Sequence, residues 1–369
     1  MARAMGLIAF ESDRYRIKGI SNHRPLMSAS FLGRYRLMDF PISNLSNSGV
    51  NTIHVYVKEK PRSVFEHVGT GRHYNINSKH GRLRVMYGEN EMSSSIYNTD
   101  VMAYHHNRAY IMEDLCEYVI IVPAHFTYVQ DFKDVMDKHI ESGADITVLY
   151  KNCDQAKERF LGCTTLTFDG NRIVGHSINH GQAKSRNISL ETYVLKKSLF
   201  YSLIDSALAT SSIYWFSDIL FEKINQMNVL GYRVRSEALA SVDLRSYFDS
   251  NMSILKSGDF KMFNRAWPIY TRTNDSSPTQ YGKKSVVVNS LIANGCVING
   301  TVKNSIIGRG VVVDEGSVLE NCIVLPSTTI SKNIRMEYVV VDKHVRVEKT
   351  KSIIGSYDNL IYLNRHDQL

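Results

Sequence analysis

Apolar positions along the chain follow two different periods. Through residue 267, strand-length apolar runs alternate with helix-like segments. Met5–Phe10, Val50–Val57 and Glu117–Ala124 carry aliphatic, β-branched and aromatic side chains in short runs. Between the first two, Pro41 sits where a first helical turn tolerates a missing N–H, and Gly49 sits where a helix end uses a left-handed residue. Gly33–Gly49 therefore reads as loop, short helix and stop, and with its flanking strands gives a β-α-β pattern. Glu117–Ala124 is almost continuously apolar, as expected of a parallel strand buried on both faces. Lys133–Ser142 reads as a helix and Ala144–Tyr150 as a strand. Thr164–Phe168 reads as a strand that turns at Asp169-Gly170-Asn171 into a hairpin.

Pro268–Lys284 is polar and rich in turn residues, the composition of a linker. Beyond it the period changes to six: related segments begin at Asn289, Asn304, Asn321, Tyr338 and Lys351, and Ile307, Val313, Leu319 and Leu325 lie six apart. A left-handed parallel β-helix needs this spacing to stack an inward aliphatic ladder. The chain divides accordingly into an α/β domain (1–267), a linker (268–284) and a hexapeptide-repeat β-helix (285–369). A few coils leave an open end, so packing on the first domain or on another subunit is expected.

The length of 369 residues agrees with two domains, because one hydrophobic core rarely grows that large. No run approaches the roughly 20 apolar residues of a membrane span. The N-terminus leads straight into Leu7-Ile8-Ala9-Phe10 without a secretory signal, which predicts a cytoplasmic protein. Cys116, Cys153, Cys163, Cys296 and Cys322 are widely spaced, and buried thiols are the expected state. The net charge of +8 is spread through the chain without a nucleic-acid-binding signature, so it suits small phosphorylated ligands better than nucleic acid.

Gly33-Arg34-Tyr35-Arg36-Leu37-Met38-Asp39-Phe40, followed by Ser43-Asn44 and Asn47-Ser48-Gly49, resembles the sugar-phosphate nucleotidyltransferases, most closely the bacterial glucose-1-phosphate adenylyltransferases. The resemblance covers nearly the whole chain because the hexapeptide tail follows. It implies a Rossmann-like, GT-A-like mixed-sheet domain ahead of a left-handed β-helix. It also points to the family's non-catalytic companion subunits, because residues that carry the chemistry are replaced. The glycines of the family's G-G-x-G-x-R-L phosphate loop correspond to Glu11, Ser12 and Arg14, with Asp13 between them and Arg16 at the loop's arginine. Side chains there block the close backbone approach that phosphate oxygens need. The lysine of R-A-K-P corresponds to Leu26. The G-T-A-D-A segment is matched loosely by Asn98–Ala103, with a one-residue gap.

At the end of the Glu117–Ala124 run the family has G-D-H, whose Asp holds magnesium. Here the triplet is Pro123-Ala124-His125, and Ala124 offers no oxygen. His125 is read as a structural residue in preference to a substitute ligand. Ser177–Gly181 stands where the family has F-x-E-K-P and lacks both charges. Ser246–Met252 resembles the family's Y-x-x-A-N-M helix, and counting back puts the second metal-binding Asp at Ala240, with nearby Asp243 as the alternative. The resemblance thus implies no cofactor in this chain and magnesium only in a catalytic partner.

The expectation is a regulatory subunit that pairs with a catalytic homologue, as a heterotetramer, and answers to a phosphorylated effector. The alternative is a weakly active adenylyltransferase in its own right. A hexapeptide acyltransferase has only His344 as a candidate base. The resemblance assigns effector binding to Arg24, Arg36 and Lys343, with Lys58 added by its position after a strand; Arg36 could equally brace Asp39.

Overall fold

The computed structural model describes residues 4–10, 12, 14–76, 81–87, 99–211, 213–258 and 262–369. Glu11, Asp13 and Asn98 lie outside the described residues. Nine strands form one mixed sheet in the order Arg82–Tyr87, Thr52–Val57, Ala4–Ala9, Tyr118–Pro123, Arg186–Lys196, Ile146–Cys153, Val229–Arg233, Arg172–Ile178 and Thr164–Asp169. The first four run parallel. Tyr118–Pro123 is buried along its whole length, but its second neighbour, Arg186–Lys196, runs antiparallel. The apolar run thus records two-sided burial, not an all-parallel sheet.

The Asp39–Asn47 helix places Pro41 in its first turn and is followed by Gly49 at φ 78°. Its buried face lies against the first strand, where a Cβ on Gly6 would meet Leu45 Cδ1 at 2.5 Å. Phe132–Ser142 ends at the left-handed Gly143, and Thr164–Asp169 with Arg172–Ile178 forms the expected hairpin. Among the described residues, no helix is long and apolar enough to cross a membrane. All five cysteines are free and buried.

The C-terminal coils build three five-stranded parallel sheets. Ile298, Val313, Ile330 and Val347 stack in one ladder. Val302, Leu319, Met336 and Ile353 stack in a second, and Ile292, Ile307, Val324, Val341 and Leu363 in a third. Residues six apart therefore occupy successive faces of one coil, while stacking partners lie one coil away. Leu325 departs from the expected inward set. Val324 points into the β-helix, whereas Leu325, with Ile306, Ile323 and Val340, joins the core of the α/β domain. The first coil also begins earlier than the hexapeptide pattern indicates, because Gln280–Tyr281 pairs with Val297–Ile298. Both residues are exposed, so no apolar signal marks them.

One face of the β-helix is thus buried against the α/β domain. Two glycines permit the approach. At Gly19 (φ 83°) a Cβ would stand 1.9 Å from the Tyr362 ring, and at Gly33 (φ 70°) 2.9 Å from the Ile307 carbonyl oxygen. Both positions demand left-handed backbone as well as space.

Candidate functional site

In an open α/β sheet the ligand crevice lies beyond the carboxyl ends of the strands. Here that crevice holds a cavity of about 270 Å³ bordered by Ala9, Phe10, Ser12 and Arg14 after the first strand and by Pro123 and His125 after the fourth. Glu191 enters it from the long Arg186–Lys196 strand. The register of that strand shifts between Ser189 and Thr192, and Glu191 adopts φ 48°, a left-handed conformation rare for a residue with a side chain. Such an irregularity re-aims a side chain, and the Glu191 carboxylate reaches Arg14 and Tyr15 beyond the first strand. Its Oε1 accepts hydrogen bonds from Arg14 Nη2 and from the Tyr15 hydroxyl, each at 2.7 Å, while Oε2 lies 3.4 Å from His125 Nε2. Arg14 also donates to Thr164 Oγ1 at 3.0 Å.

Burial opposes ionisation of Glu191, but the imidazole of His125, the Arg14 guanidinium and the Tyr15 hydroxyl outweigh it and bring its carboxyl down to about 2. A permanent internal anion thus lines the crevice. Of the other loop positions, Ser12 lines the cavity and Arg16 is exposed. Leu26 is fully buried in the 3-10 turn Leu26–Ser28, so it belongs to the core and not to any phosphate contact.

Ala124 is buried just after Pro123 and presents only a methyl group. Ala240 ends the short strand Ala238–Ala240, which pairs with Phe126–Tyr128, and it lines a separate groove with Phe160, Asp243 and Arg245. The alternative metal ligand, Asp243, caps the Leu244–Ser257 helix, its Oδ1 accepting from Ser246 N at 2.7 Å. Magnesium requires hard oxygen ligands, and these residues do not provide a set. Among the described residues, no cluster of three His, Cys, Asp or Glu side chains could hold a metal ion.

At the counterpart of F-x-E-K-P, Asn179 folds the neighbouring loop by donating to the Ala156, Arg159 and Phe160 carbonyls. At the loose counterpart of G-T-A-D-A, Asp100 Oδ1 accepts from Val101 N and Phe216 N. Burial pushes the Asp100 carboxyl up to about 7 despite those two donors.

A second charged site lies where the domains meet. Arg24, only 3% exposed, donates from Nη2 to Asp342 Oδ1 at 2.5 Å. The same carboxylate accepts from Lys343 N at 2.6 Å and, at Oδ2, from the Tyr362 hydroxyl at 2.7 Å. Arg24 Nη1 is buried without a hydrogen-bond partner among the described residues. Arg36 donates from Nη1 to the Ser28 carbonyl at 2.6 Å, and it is its backbone N–H that bonds Asp39. Burial, then the charges of Arg36 and Arg24, lower the Lys343 ammonium to about 7. Arg24, Arg36 and Lys343 thus share one electrostatic environment, together with Arg365 and Glu66. Lys58 lies instead over the Trp215 ring, 5.6 Å from its centroid. His344 is an exposed residue stacked on His366.

Sequence reasoning missed Glu191, Tyr15 and two residues that also line the cavity, Tyr193 and Trp215. Glu191 meets Arg14 and Tyr15 across more than 170 positions, a separation that no local motif records.

A mixed nucleotidyltransferase-type sheet, a crevice at its strand ends and a docked hexapeptide β-helix define the class. The nucleotidyl transferase family profile matches residues 15–267, and a GlmU-like C-terminal hexapeptide profile matches residues 276–359. The chain belongs to the nucleotidyl transferase family. Its relatives include the glycogen biosynthesis protein GlgD of Bacillus subtilis, 27% identical over 98% of this chain and 95% of that protein. The glucose-1-phosphate adenylyltransferase of Fervidobacterium nodosum is 25% identical over 98% of this chain and 89% of its own length. That of Clostridioides difficile is 26% identical over 90% of each.

Proposed function

We propose that this chain is a regulatory, non-catalytic subunit in glycogen biosynthesis. It pairs with a catalytic glucose-1-phosphate adenylyltransferase, as a heterotetramer, and modulates ADP-glucose synthesis from ATP and glucose 1-phosphate. The observation that carries this reading is Glu191, held by Arg14, Tyr15 and His125 in the crevice where the family binds a triphosphate. Adenylyl transfer accumulates negative charge between two phosphate groups, and a protein assists by positioning and by neutralising that charge. Here a carboxylate points at that place, and Ala124 and Ala240 supply no metal ligand. Loss of one preorganised donor costs about a hundred- to a thousandfold in rate, and the magnesium needed for turnover belongs to the catalytic partner.

Regulation is assigned to the junction of the two domains. Arginine pairs bidentately with phosphate and lysine adds a point charge, so Arg24, Arg36 and Lys343 suit a sugar bisphosphate or a similar anion. Arg24 also holds the buried Asp342, and breaking such a pair costs about 3–5 kcal/mol. Lys343 is therefore the cleaner position to test. In the mixed complex, Lys343→Gln should raise the half-activating concentration of a sugar bisphosphate about tenfold, the worth of one charge-assisted hydrogen bond. The lysine binds an anion in its charged form, and its unliganded value is about 7. Activation should therefore weaken as pH rises through 7, and the variant should lose that dependence. Unchanged activation and an unchanged pH profile in Lys343→Gln place the effector site elsewhere.

A further inference from the structure

The Val229–Arg233 strand outruns its neighbour in the sheet. It pairs with Arg172–Ile178 only between Leu230 and Arg172, where the hairpin turns back, and the Asn171 carbonyl takes the Gly231 N–H at 3.1 Å. Val234 N donates to Tyr150 O on the other side at 2.9 Å, so by the alternation of a strand the Arg233 backbone faces the open edge. A concavity of about 540 Å³ runs along this edge, lined by the consecutive residues 231–235 with Lys138 and Lys151. Four of these seven residues are cations and none is a carboxylate, which makes the concavity a place for negative charge.

Two of the cations are uncommitted. Arg233 and Arg235 are exposed, and neither guanidinium has a hydrogen-bond or ion-pair partner among the described residues. Lys151 is half-buried, its Nζ held by the Ser236 and Arg235 carbonyls at 2.5 and 3.3 Å, so neutral acceptors fix its position and leave its charge unpaired. Asp134 stands beside the concavity but is already taken, accepting from the Tyr232 hydroxyl and from Lys138 Nζ. Charges on an edge strand ordinarily discourage pairing with another chain, but that use does not require them to converge with an ammonium fixed by the backbone.

The surroundings decide the kind of anion. Asp134 and Glu141 lie one turn to either side of Lys138 on the Phe132–Ser142 helix, and exposed Glu237 follows the strand. A polyanion long enough to leave the concavity would meet these like charges, so a compact anion fits better. Tyr232 supplies the one aromatic ring of the lining, and Lys138 Nζ covers it 5.2 Å from its centroid, which leaves no bare ring for a base to stack on. Arginine pairs bidentately with phosphate and lysine adds a point charge, and the volume falls within the roughly 300–1,000 Å³ of small-molecule sites.

We propose that this concavity is a binding site for a compact anion carrying two phosphate groups, separate from the crevice and from the domain junction. It shares no lining residue with the crevice and contains none of Arg24, Arg36 and Lys343, so it stands whether or not either of those sites works as described. The full chain is titrated calorimetrically, at about 50 mM salt where surface charge is little screened, with orthophosphate, inorganic pyrophosphate, glucose 1,6-bisphosphate and a single-stranded oligothymidylate. The better of the two diphosphate probes should bind with a dissociation constant on the order of 0.1 mM, and orthophosphate about tenfold more weakly. Which of the two binds tighter tells an inorganic from an organic source, and either result supports the site. Replacing both arginines, Arg233→Gln with Arg235→Gln, should weaken that binding at least about tenfold, the worth of one charge-assisted hydrogen bond. Both side chains are exposed and unpartnered, so this variant should unfold at the temperature of the parent. Lys343→Gln, at the junction, should leave the same isotherm in place. Absence of saturable binding by both diphosphate probes overturns the proposal and leaves the arginines as edge protection. Unaltered affinity in the double variant overturns it too, as does tighter binding of the oligothymidylate that depends on the same two arginines.

Discussion

A carboxylate aimed into a crevice from a left-handed backbone persists only where its surroundings fix both its charge and its conformation. Glu191 meets that condition through Arg14, Tyr15 and His125, against a backbone cost of about 1–2 kcal/mol for its positive φ. Because its carboxyl is depressed from 4.5 to about 2, folding gains stability at every pH above 4.5 and loses it as pH falls toward 2. With the side chain 15% exposed, the shift corresponds to about 3 kcal/mol at neutral pH. Glu191→Gln should therefore be less stable by a comparable amount at pH 7, with a flatter stability profile between pH 4.5 and 2. Urea unfolding over a pH series reads this directly, and an identical slope in variant and parent would refute the ion-pair account. Leu26 and Ala124 were legible in the sequence as departures from the family's pattern because each sits inside a contiguous motif. Glu191 was not, because only the sheet brings it to the loop that it fills.

At the level of elements, the docking of the β-helix depends on close backbone approach. Gly19 and Gly49 both have φ near 80°, but a Cβ at Gly19 would overlap the Tyr362 ring whereas one at Gly49 would meet nothing within 4 Å. The two alanine variants thus share backbone strain and differ in docking. Gly49→Ala should cost about 1 kcal/mol and Gly19→Ala a further 1–3 kcal/mol from overpacking. Thermal unfolding that shows equal losses would mean that Tyr362 yields freely and the junction is loose. The same docking explains why the repeat was only partly readable. Ile323-Val324-Leu325 is apolar on both sides because one side fills the β-helix and the other packs on the sheet domain. Periodicity identifies the coil, but it cannot say which of two adjacent aliphatic residues faces inward. The corners behave more regularly: Asn289, Asn304, Asn321 and Tyr338 all take positive φ at equivalent turns.

At the scale of the whole molecule, the β-helix presents its first coil to solvent, with Val286, Val287 and Val288 exposed on an edge strand. An exposed apolar edge invites pairing, and assembly with a homologous catalytic subunit is the expected use. Light scattering of the two chains mixed should give the mass of a hetero-oligomer, and a mixture of unassociated chains would remove the basis for a regulatory role. The central claim is that the crevice no longer supports adenylyl transfer. Purified alone with ATP, glucose 1-phosphate and magnesium, the chain should release no appreciable pyrophosphate. Adding it to a catalytic partner should change that partner's rate or effector response. Robust pyrophosphate release from the isolated chain would contradict the account.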